Sequence, residues 1–286
     1  MDGPPDPRAL LAAVDERIVG LRREAEVLAA ALASGCHVVL EGPPGTGTST
    51  LLRAVANAAG LGVELVEGNA ELTPARLIGH HDPALVLSAG YTPGAFVDGP
   101  LLTAVREGSL LYIEELNRVP EETLNVLVGV LAEGEIHVPR LGRVPAGEQF
   151  RLIAAMNPFD AVGTARVSQA ISDRMCRIAI GYQDAAHERE IVHRLTGTDD
   201  ERAVELARRS RAHPQVRMGA SVRGAIDLVK IERELARLRA DGDSTFEDAA
   251  IAALSGRLHL EEGCEKTPEE IVRELIAGLG KAIAPP

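Results

Sequence analysis

The architecture follows from one segment, Val38-Val39-Leu40-Glu41-Gly42-Pro43-Pro44-Gly45-Thr46-Gly47-Thr48-Ser49-Thr50, which is an apolar run, a glycine-rich turn and a helix start. The spacing Gly42-x4-Gly47-x-Ser49 is that of a phosphate-binding loop, except that Thr48 stands where such loops have lysine. Glycines let the backbone N–H groups turn towards phosphate oxygens, and the following helix adds its positive end. We therefore predict that residues 42–50 bind phosphate and that the Ser49 hydroxyl suits Mg²⁺. The alternative is a surface turn.

Outward from this loop, short apolar runs alternate with helical patterns as far as Gly181. Strands are predicted at 36–41, 63–66, 109–114, 150–156 and 176–180. This alternation predicts an α/β fold with a parallel sheet flanked by helices. After Gly181 only helical patterns follow, so we expect a core domain over residues 9–181 and a small all-α lid domain over 182–286. Residues 1–8 are expected to form a flexible leader.

Two insertions interrupt the alternation of strands and helices. Residues 80–99 are rich in glycine and proline and predict a hairpin with strands at 84–87 and 94–97. Residues 135–149 predict a second hairpin around Gly142.

Acidic and amide side chains follow two of the predicted strands. Glu114 and Glu115 end the buried run that starts at Leu110, and Asn157 follows the strand 150–156. Beside a phosphate loop, Glu114 can hold Mg²⁺ and Glu115 can polarise an attacking water as general base. Asn157 can orient a water or contact a terminal phosphate without adding charge. The alternatives are two solvated surface acids and a simple Asn-Pro turn.

Composition limits the classes of function. The 286 residues carry a net charge of −12, which argues against a general nucleic-acid binder. Three widely spaced cysteines fit neither a disulfide framework nor a metal site, and Cys36 and Cys176 are expected to pack in the core of a protein from a reducing compartment. No signal peptide and no run long enough for a membrane span is found, so a cytoplasmic location is expected.

The order of these motifs resembles an AAA+ ATPase of the MoxR family. The matching stretches are Gly42–Thr50 as Walker A, Leu110–Glu115 running into Leu116-Asn117-Arg118 as Walker B, Asn157-Pro158 as sensor 1, Gly219-Ala220-Ser221-Val222-Arg223 as sensor 2, and Gly163-Thr164-Ala165 leading to Ser172-Asp173-Arg174. The resemblance covers about residues 10 to 255.

The resemblance implies a homo-hexameric ring that binds ATP or ADP with Mg²⁺ between subunits. Arg174 would then be the finger offered to the neighbouring nucleotide, with Arg166 as the second candidate, because a guanidinium pairs bidentately with phosphate. Arg223 would reach the γ-phosphate from the same subunit. Similar MoxR proteins remodel or mature partners with von Willebrand factor A domains.

Two departures from the family pattern bear on activity. Glu114 stands where many relatives have aspartate, which keeps a carboxylate. Thr48 replaces the Walker lysine, and the lysines of the chain, Lys230, Lys266 and Lys281, all lie in the helical part. We therefore expect weak hydrolysis. The alternatives to an ATP-driven chaperone are a nucleotide-dependent scaffold that does not turn over and a DNA-dependent motor, which the net charge disfavours.

Overall fold

The computed structural model describes residues 7–158, 169–239 and 245–280. The chain divides into two compact units, the first from Met1–Pro43 and Gly47–Gly181 and the second from Pro44–Thr46 and Tyr182–Pro286. In chain order the described part of the first unit contains α1 (Pro7–Asp15), α2 (Arg22–Ala33), β1 (His37–Glu41), α3 (Thr48–Ala59), β2 (Val63–Glu67), α4 (Pro74–Ile78), β3 (Gly79–His81), α5 (Pro83–Ala89), β4 (Phe96–Asp98), α6 (Pro100–Glu107), β5 (Leu110–Glu114), α7 (Glu121–Glu133), β6 (Glu135–Val138), β7 (Gly142–Pro145), β8 (Arg151–Met156), α8 (Gln169–Ser172) and β9 (Met175–Ala179).

The centre of the first unit is a five-stranded parallel sheet in the order β2-β5-β8-β1-β9. All five strands match predicted apolar runs to within one residue at each end. Side chains alternate between two cores, so that on β5 Leu111 and Ile113 pack on one face and Leu110 and Tyr112 on the other. The predicted α/β fold with a parallel sheet flanked by helices is confirmed. The carboxyl ends of β1, β5 and β8 meet at one edge, where the phosphate loop leaves β1.

The first helix begins at Pro7, inside the leader predicted over residues 1–8, so that prediction is wrong for Pro7 and Arg8. Proline is favoured at the first turn of a helix, where its missing N–H costs nothing. The helical pattern that follows is interrupted at Gly20, which has a φ of 73°. Only glycine adopts this conformation readily, which explains the break between α1 and α2.

The first insertion differs from the prediction. Residues 84–87 lie in α5 and not in a strand, and the antiparallel pair is β3 with β4, where His80 faces Val97. The Asp82 carboxylate caps α5 by accepting hydrogen bonds from the amides of Ala84 and Leu85, and Pro83 occupies the first turn. An Asp-Pro pair is a helix-start signal that outweighs the short alternation of apolar residues. The second predicted hairpin is confirmed as β6 paired with β7.

The described part of the second unit is mainly helical. It contains α9 (Ala185–Thr196), α10 (Glu201–Ala212), β10 (Val216–Met218), α11 (Val222–Leu238), α12 (Phe246–Leu254), β11 (His259–Leu260) and α13 (Pro268–Ala277). The helices form one apolar core of their own, which includes Leu206, Ala225 and Ile271. The short antiparallel pair β10–β11 departs from the expected all-α composition. Strands of two or three residues are too short to show a period in the sequence.

The cysteines only partly follow the prediction. Cys176 is exposed on β9, at the edge of the sheet, so the expected core role is wrong for it, whereas Cys36 is partly buried. All three cysteines are free thiols. Across the described residues we find no helix with the length and apolar character needed to span a membrane.

Candidate functional site

The glycine-rich loop connects the carboxyl end of β1 to the start of α3. Gly45 and Gly47 have φ values of 80° and 96°, in the left-handed region that favours glycine. A side chain at Gly42 would place its Cβ 2.3 Å from the carbonyl oxygen of Ile180. Gly47 caps α3 without a side-chain acceptor, so the first N–H groups of the helix are available to an anion. The loop therefore has the shape and donors of a phosphate cradle.

Three residues of the loop, Pro44–Thr46, belong to the second unit. Thr46 is buried, and its carbonyl oxygen accepts a 2.8 Å hydrogen bond from Gln183 Nε2. A Cβ at Gly45 would lie 2.2 Å from Ser221 Oγ and 3.4 Å from Arg223 Cδ. The predicted sensor 2 residue Arg223 thus lies at the start of α11 beside Gly45, and it is exposed.

The Ser49 hydroxyl and the Glu114 carboxylate, which are far apart in the sequence, are in contact next to the loop. Ser49, in the first turn of α3, donates a hydrogen bond to Glu114 Oε1 at 2.5 Å. Glu114 ends β5 and is partly buried. Both groups offer hard oxygen ligands of the kind that Mg²⁺ prefers. The two predicted metal ligands therefore lie together, in an arrangement that fits the cation.

A metal at this position would need ligands from elsewhere. In the part of the chain that the structure describes, no three His, Cys, Asp or Glu side chains form a metal-binding group. Mg²⁺ is usually held by one or two protein ligands together with phosphate oxygens and water. The donor set of Ser49 and Glu114 is thus suited to a metal that arrives with a nucleotide.

Glu115 occupies a turn of unusual backbone geometry directly after Glu114. Its φ of 52° is left-handed, which is uncommon for a residue other than glycine. Its carboxylate is paired with Arg118 Nε at 3.0 Å, and both side chains are partly exposed. The turn therefore presents Glu115 at the edge of the sheet next to the predicted metal ligand.

Asn157 follows β8, which lies between β1 and β5 in the sheet. Its carbonyl oxygen accepts a 3.4 Å hydrogen bond from Asn117 Nδ2, and Asn117 is buried. Asn117 lies in the short 3-10 turn Leu116–Arg118 that follows Glu115. The structure thus joins the Walker B turn to the strand end that carries Asn157.

Carboxylates and guanidinium groups both lie around the loop. Glu41, at the end of β1, forms an ion pair with Arg177, whose hydrogen bonds lower the pKa of the carboxyl. Glu114 ends β5, Glu115 follows it and pairs with Arg118, and Thr48 brings no positive charge to the loop. Residues 42–50 themselves therefore offer a bound triphosphate backbone N–H groups and no charged side chain.

Of the two predicted arginine fingers, the structure describes Arg174 and not Arg166. Arg174 precedes β9 and is exposed, and it donates a hydrogen bond to the carbonyl oxygen of Ala170 at 2.8 Å. Arg166 and the stretch Gly163–Ala165 lie outside the described residues. A role in a neighbouring subunit therefore stays a prediction for both arginines.

Three residues that shape the site were missed from the sequence. Gly68, after β2, donates a 2.8 Å hydrogen bond to the Glu114 carbonyl oxygen. Tyr112 reads as one more apolar residue of a strand, yet its hydroxyl lies 3.3 Å from Ser49 Oγ. Asn117 belongs to the predicted Walker B stretch, and its contact with the Asn157 carbonyl oxygen is seen only in the structure. A polar residue inside an apolar strand run was the available signal for Tyr112.

Comparisons with known proteins fit this geometry. Residues 37–175 match the family model described as the AAA domain of the dynein-related subfamily. An uncharacterised protein of Staphylococcus epidermidis is 28% identical over 220 residues, which cover 76% of this chain and 75% of the relative. The gas vesicle ATPase GvpN of Ancylobacter aquaticus is 27% identical over 276 residues, which cover 89% of this chain and 76% of GvpN.

Solved structures agree at the level of the fold. A proposed ATPase from Cytophaga hutchinsonii has a TM-score of 0.55 at 19% identity, over 94% of this chain and 93% of that one. A mutant of RuvB from Thermotoga maritima has a TM-score of 0.54 at 20% identity, over 84% of this chain and 71% of RuvB. Residues 37–175 thus match an AAA domain model in sequence, and the five-stranded parallel sheet agrees with solved structures of that fold.

Proposed function

We propose that this AAA domain protein binds ATP and Mg²⁺ at the loop 42–50 and remodels a protein partner as a MoxR-type chaperone. The observation that carries the nucleotide site is the 2.5 Å contact between Ser49 and Glu114 beside a loop of left-handed glycines. This contact joins a helix start to a strand end where a phosphate-bound cation would need oxygen ligands.

Each residue of the site has a separate role in the proposed reaction. Backbone N–H groups of residues 43–49 would hold the phosphates, and Ser49 and Glu114 would hold Mg²⁺, which neutralises charge on the phosphates when bound. Glu115 would accept a proton from water as the water oxygen bonds to the γ-phosphorus and the bond to the β-phosphate oxygen breaks. Asn157 would orient that water. The products are ADP and inorganic phosphate.

Arg174 and Arg223 complete the proposed site with positive charge. A guanidinium from Arg174 would reach the nucleotide of a neighbouring subunit in a homo-hexameric ring, and Arg223 would contact the γ-phosphate. The observation that supports Arg223 at the phosphates is its place beside Gly45 of the loop, where a Cβ would lie 3.4 Å from Arg223 Cδ.

Thr48 is the reason for expecting slow turnover. Losing one charged hydrogen bond costs about 1.5–3 kcal/mol, which corresponds to a ten- to hundredfold weaker interaction. The loss of charge neutralisation in the transition state lowers the rate further. This favours, as a second candidate function, a nucleotide-dependent scaffold that assembles but does not hydrolyse.

The partner is a prediction from the family resemblance. A client with a von Willebrand factor A domain and a cytoplasmic location rest on that resemblance. A DNA-dependent motor is disfavoured by the net charge of −12, because DNA binding needs a basic surface. The likeness to RuvB bears only on the fold.

The proposal is tested by nucleotide binding, particle mass and phosphate release. Thr48→Lys restores the missing charge and should raise steady-state phosphate release by about tenfold or more. Thr92→Lys adds the same charge at an exposed position of the first insertion and should match the parent protein. Light scattering with and without ATP measures the particle mass, and the parent protein should show the mass of a ring.

The outcomes separate the candidate functions. The scaffold is supported if the parent protein forms a ring but releases no phosphate, while Thr48→Lys does release phosphate. Turnover that rises with a protein partner supports the chaperone. Equal release rates for the parent protein and Thr48→Lys contradict the role given to Thr48, and a chain that binds no nucleotide contradicts the site itself.

A further inference from the structure

Tyr112 places a hydroxyl in the core next to the phosphate loop. The side chain is 1% exposed and packs with apolar residues that include Leu40 and Leu51. Burial raises the pKa of Tyr112 to about 12, so the group is a neutral hydroxyl. A buried hydroxyl needs hydrogen-bond partners, and those of Tyr112 are side chains of the loop and of Walker B.

The hydrogen bonds around this hydroxyl have a direction. The Glu114 carboxylate only accepts, and the single Ser49 proton is donated to it at 2.5 Å. In the 3.3 Å contact between Ser49 Oγ and Tyr112 Oη, Tyr112 must therefore be the donor. The Thr48 hydroxyl is a further hydrogen-bond partner of Tyr112. The protons thus run from Tyr112 to Ser49 and from Ser49 to Glu114.

The direction of these hydrogen bonds determines which lone pair of Ser49 Oγ can face a cation. A serine hydroxyl has one proton and two lone pairs. When the proton goes to Glu114 and one lone pair accepts from Tyr112, a single lone pair is left for a metal. Hydroxyl chains of this kind also polarise one another, which strengthens each bond.

We propose that Tyr112 is a positioning residue of the Mg²⁺–nucleotide site, which holds the Ser49 hydroxyl and the Glu114 carboxylate in the orientation that receives the cation. This rests on the proposed function. Thr48 makes the arrangement more important here than in a loop with lysine, because the loop itself supplies no charged side chain to the phosphates. Thr48 is a member of the hydroxyl chain and not a substitute for the lysine.

The test compares nucleotide affinity with and without the metal. Tyr112→Phe keeps the ring and removes only the hydroxyl, and Tyr91→Phe is the matched control at an exposed tyrosine. One net hydrogen bond is worth about 0.5–1.5 kcal/mol, so the ADP dissociation constant in Mg²⁺ should rise about two- to tenfold in Tyr112→Phe. In EDTA the dissociation constant should match that of the parent protein.

A double-mutant cycle with Ser49→Ala checks that Tyr112 acts through Ser49. In the Ser49→Ala background, Tyr112→Phe should cause no further loss of affinity in Mg²⁺. A loss of the same size in Mg²⁺ and in EDTA, no loss at all, or an additive loss in the double variant overturns the inference. If the parent protein binds no ADP, both the proposed function and this inference are wrong. If the parent protein binds ADP, the Tyr112→Phe comparison tests the role of Tyr112 alone.

Discussion

The amide of Gly68 donates a hydrogen bond to the carbonyl oxygen of Glu114 at 2.8 Å. This bond extends the pairing of β2 with β5 beyond the strands, where Glu67 faces Glu114. It holds the turn in which Glu115 takes its left-handed conformation. The position of the proposed general base therefore depends on a glycine from the neighbouring strand end.

Gly68→Ala should disturb this turn. A Cβ at Gly68 would lie 2.5 Å from the Glu115 carbonyl oxygen and 2.6 Å from that of Glu114, so the backbone of the turn must move. Such overpacking costs about 1–3 kcal/mol of stability. Measured in the Thr48→Lys background, phosphate release should fall by about tenfold or more, because the general base loses its alignment.

Gly94→Ala is the control for this substitution. Nothing lies within 4 Å of a Cβ at Gly94, which is in the first insertion. Its melting temperature and phosphate release should match those of the background protein. Unchanged phosphate release in Gly68→Ala would contradict the dependence of Glu115 on this contact.

The second unit contains a buried carboxylate, and Glu188→Ala should destabilise that unit. Glu188 is 1% exposed and accepts hydrogen bonds from Arg211 Nη2 at 2.7 and 2.9 Å and from Arg208 Nη1 at 3.2 Å. Removing one partner of a buried ion pair leaves uncompensated charge, which costs about 3 kcal/mol or more. Urea unfolding followed by circular dichroism measures this loss.

Glu190 provides the matched exposed pair for this experiment. Glu190 and Arg194 lie on the same helix, and each side chain is close to half exposed. Exposed pairs contribute little, so Glu190→Ala should change the free energy of unfolding by less than about 0.5 kcal/mol. Equal effects of the two substitutions would show that the buried cluster does not hold the second unit together.

The sequence predicts the parts of the site that are local in the chain. The loop, the strand that ends in Glu114 and Glu115, and Asn157 are each recognisable from a few consecutive residues, because turn glycines and buried apolar runs have clear patterns. The contacts of Gly68 and Tyr112 depend on which strands become neighbours and on which face a residue takes. A period of two does not tell which face of a fully buried strand lies over the phosphate loop.

The same limit applies to the insertions. The short alternation over residues 84–87 predicts a strand, whereas the capping Asp82 and the following Pro83 start the helix α5 there. The hairpin β6–β7 is predictable because a glycine, Gly142, interrupts the alternating segments, and the structure gives this glycine a positive φ of 88° at the start of β7.

His37 should make stability depend on pH. Burial, and next the nearby Arg151 guanidinium, lower the pKa of His37 to about 4, and its Nδ1 accepts a 2.9 Å hydrogen bond from the Leu152 amide. The folded-state pKa lies below the ordinary value of 6.5 for this base, so between these two pH values the unfolded chain binds more protons. The free energy of unfolding therefore falls as the pH falls through this window.

The expected size of this effect is about 1–2 kcal/mol between pH 7 and pH 5, discounted because the ring is partly exposed. Urea unfolding at pH 7, 6 and 5 measures it in the parent protein, in His37→Gln and in His80→Gln, where the imidazole is exposed. His37→Gln removes the titrating group, so its stability should depend less on pH than that of the parent protein, and the difference between the two should shrink towards pH 5. His80→Gln should follow the parent protein at every pH. Parallel pH profiles for all three proteins would mean that His37 keeps its ordinary pKa in the folded chain and that the Leu152 amide does not depend on a neutral imidazole.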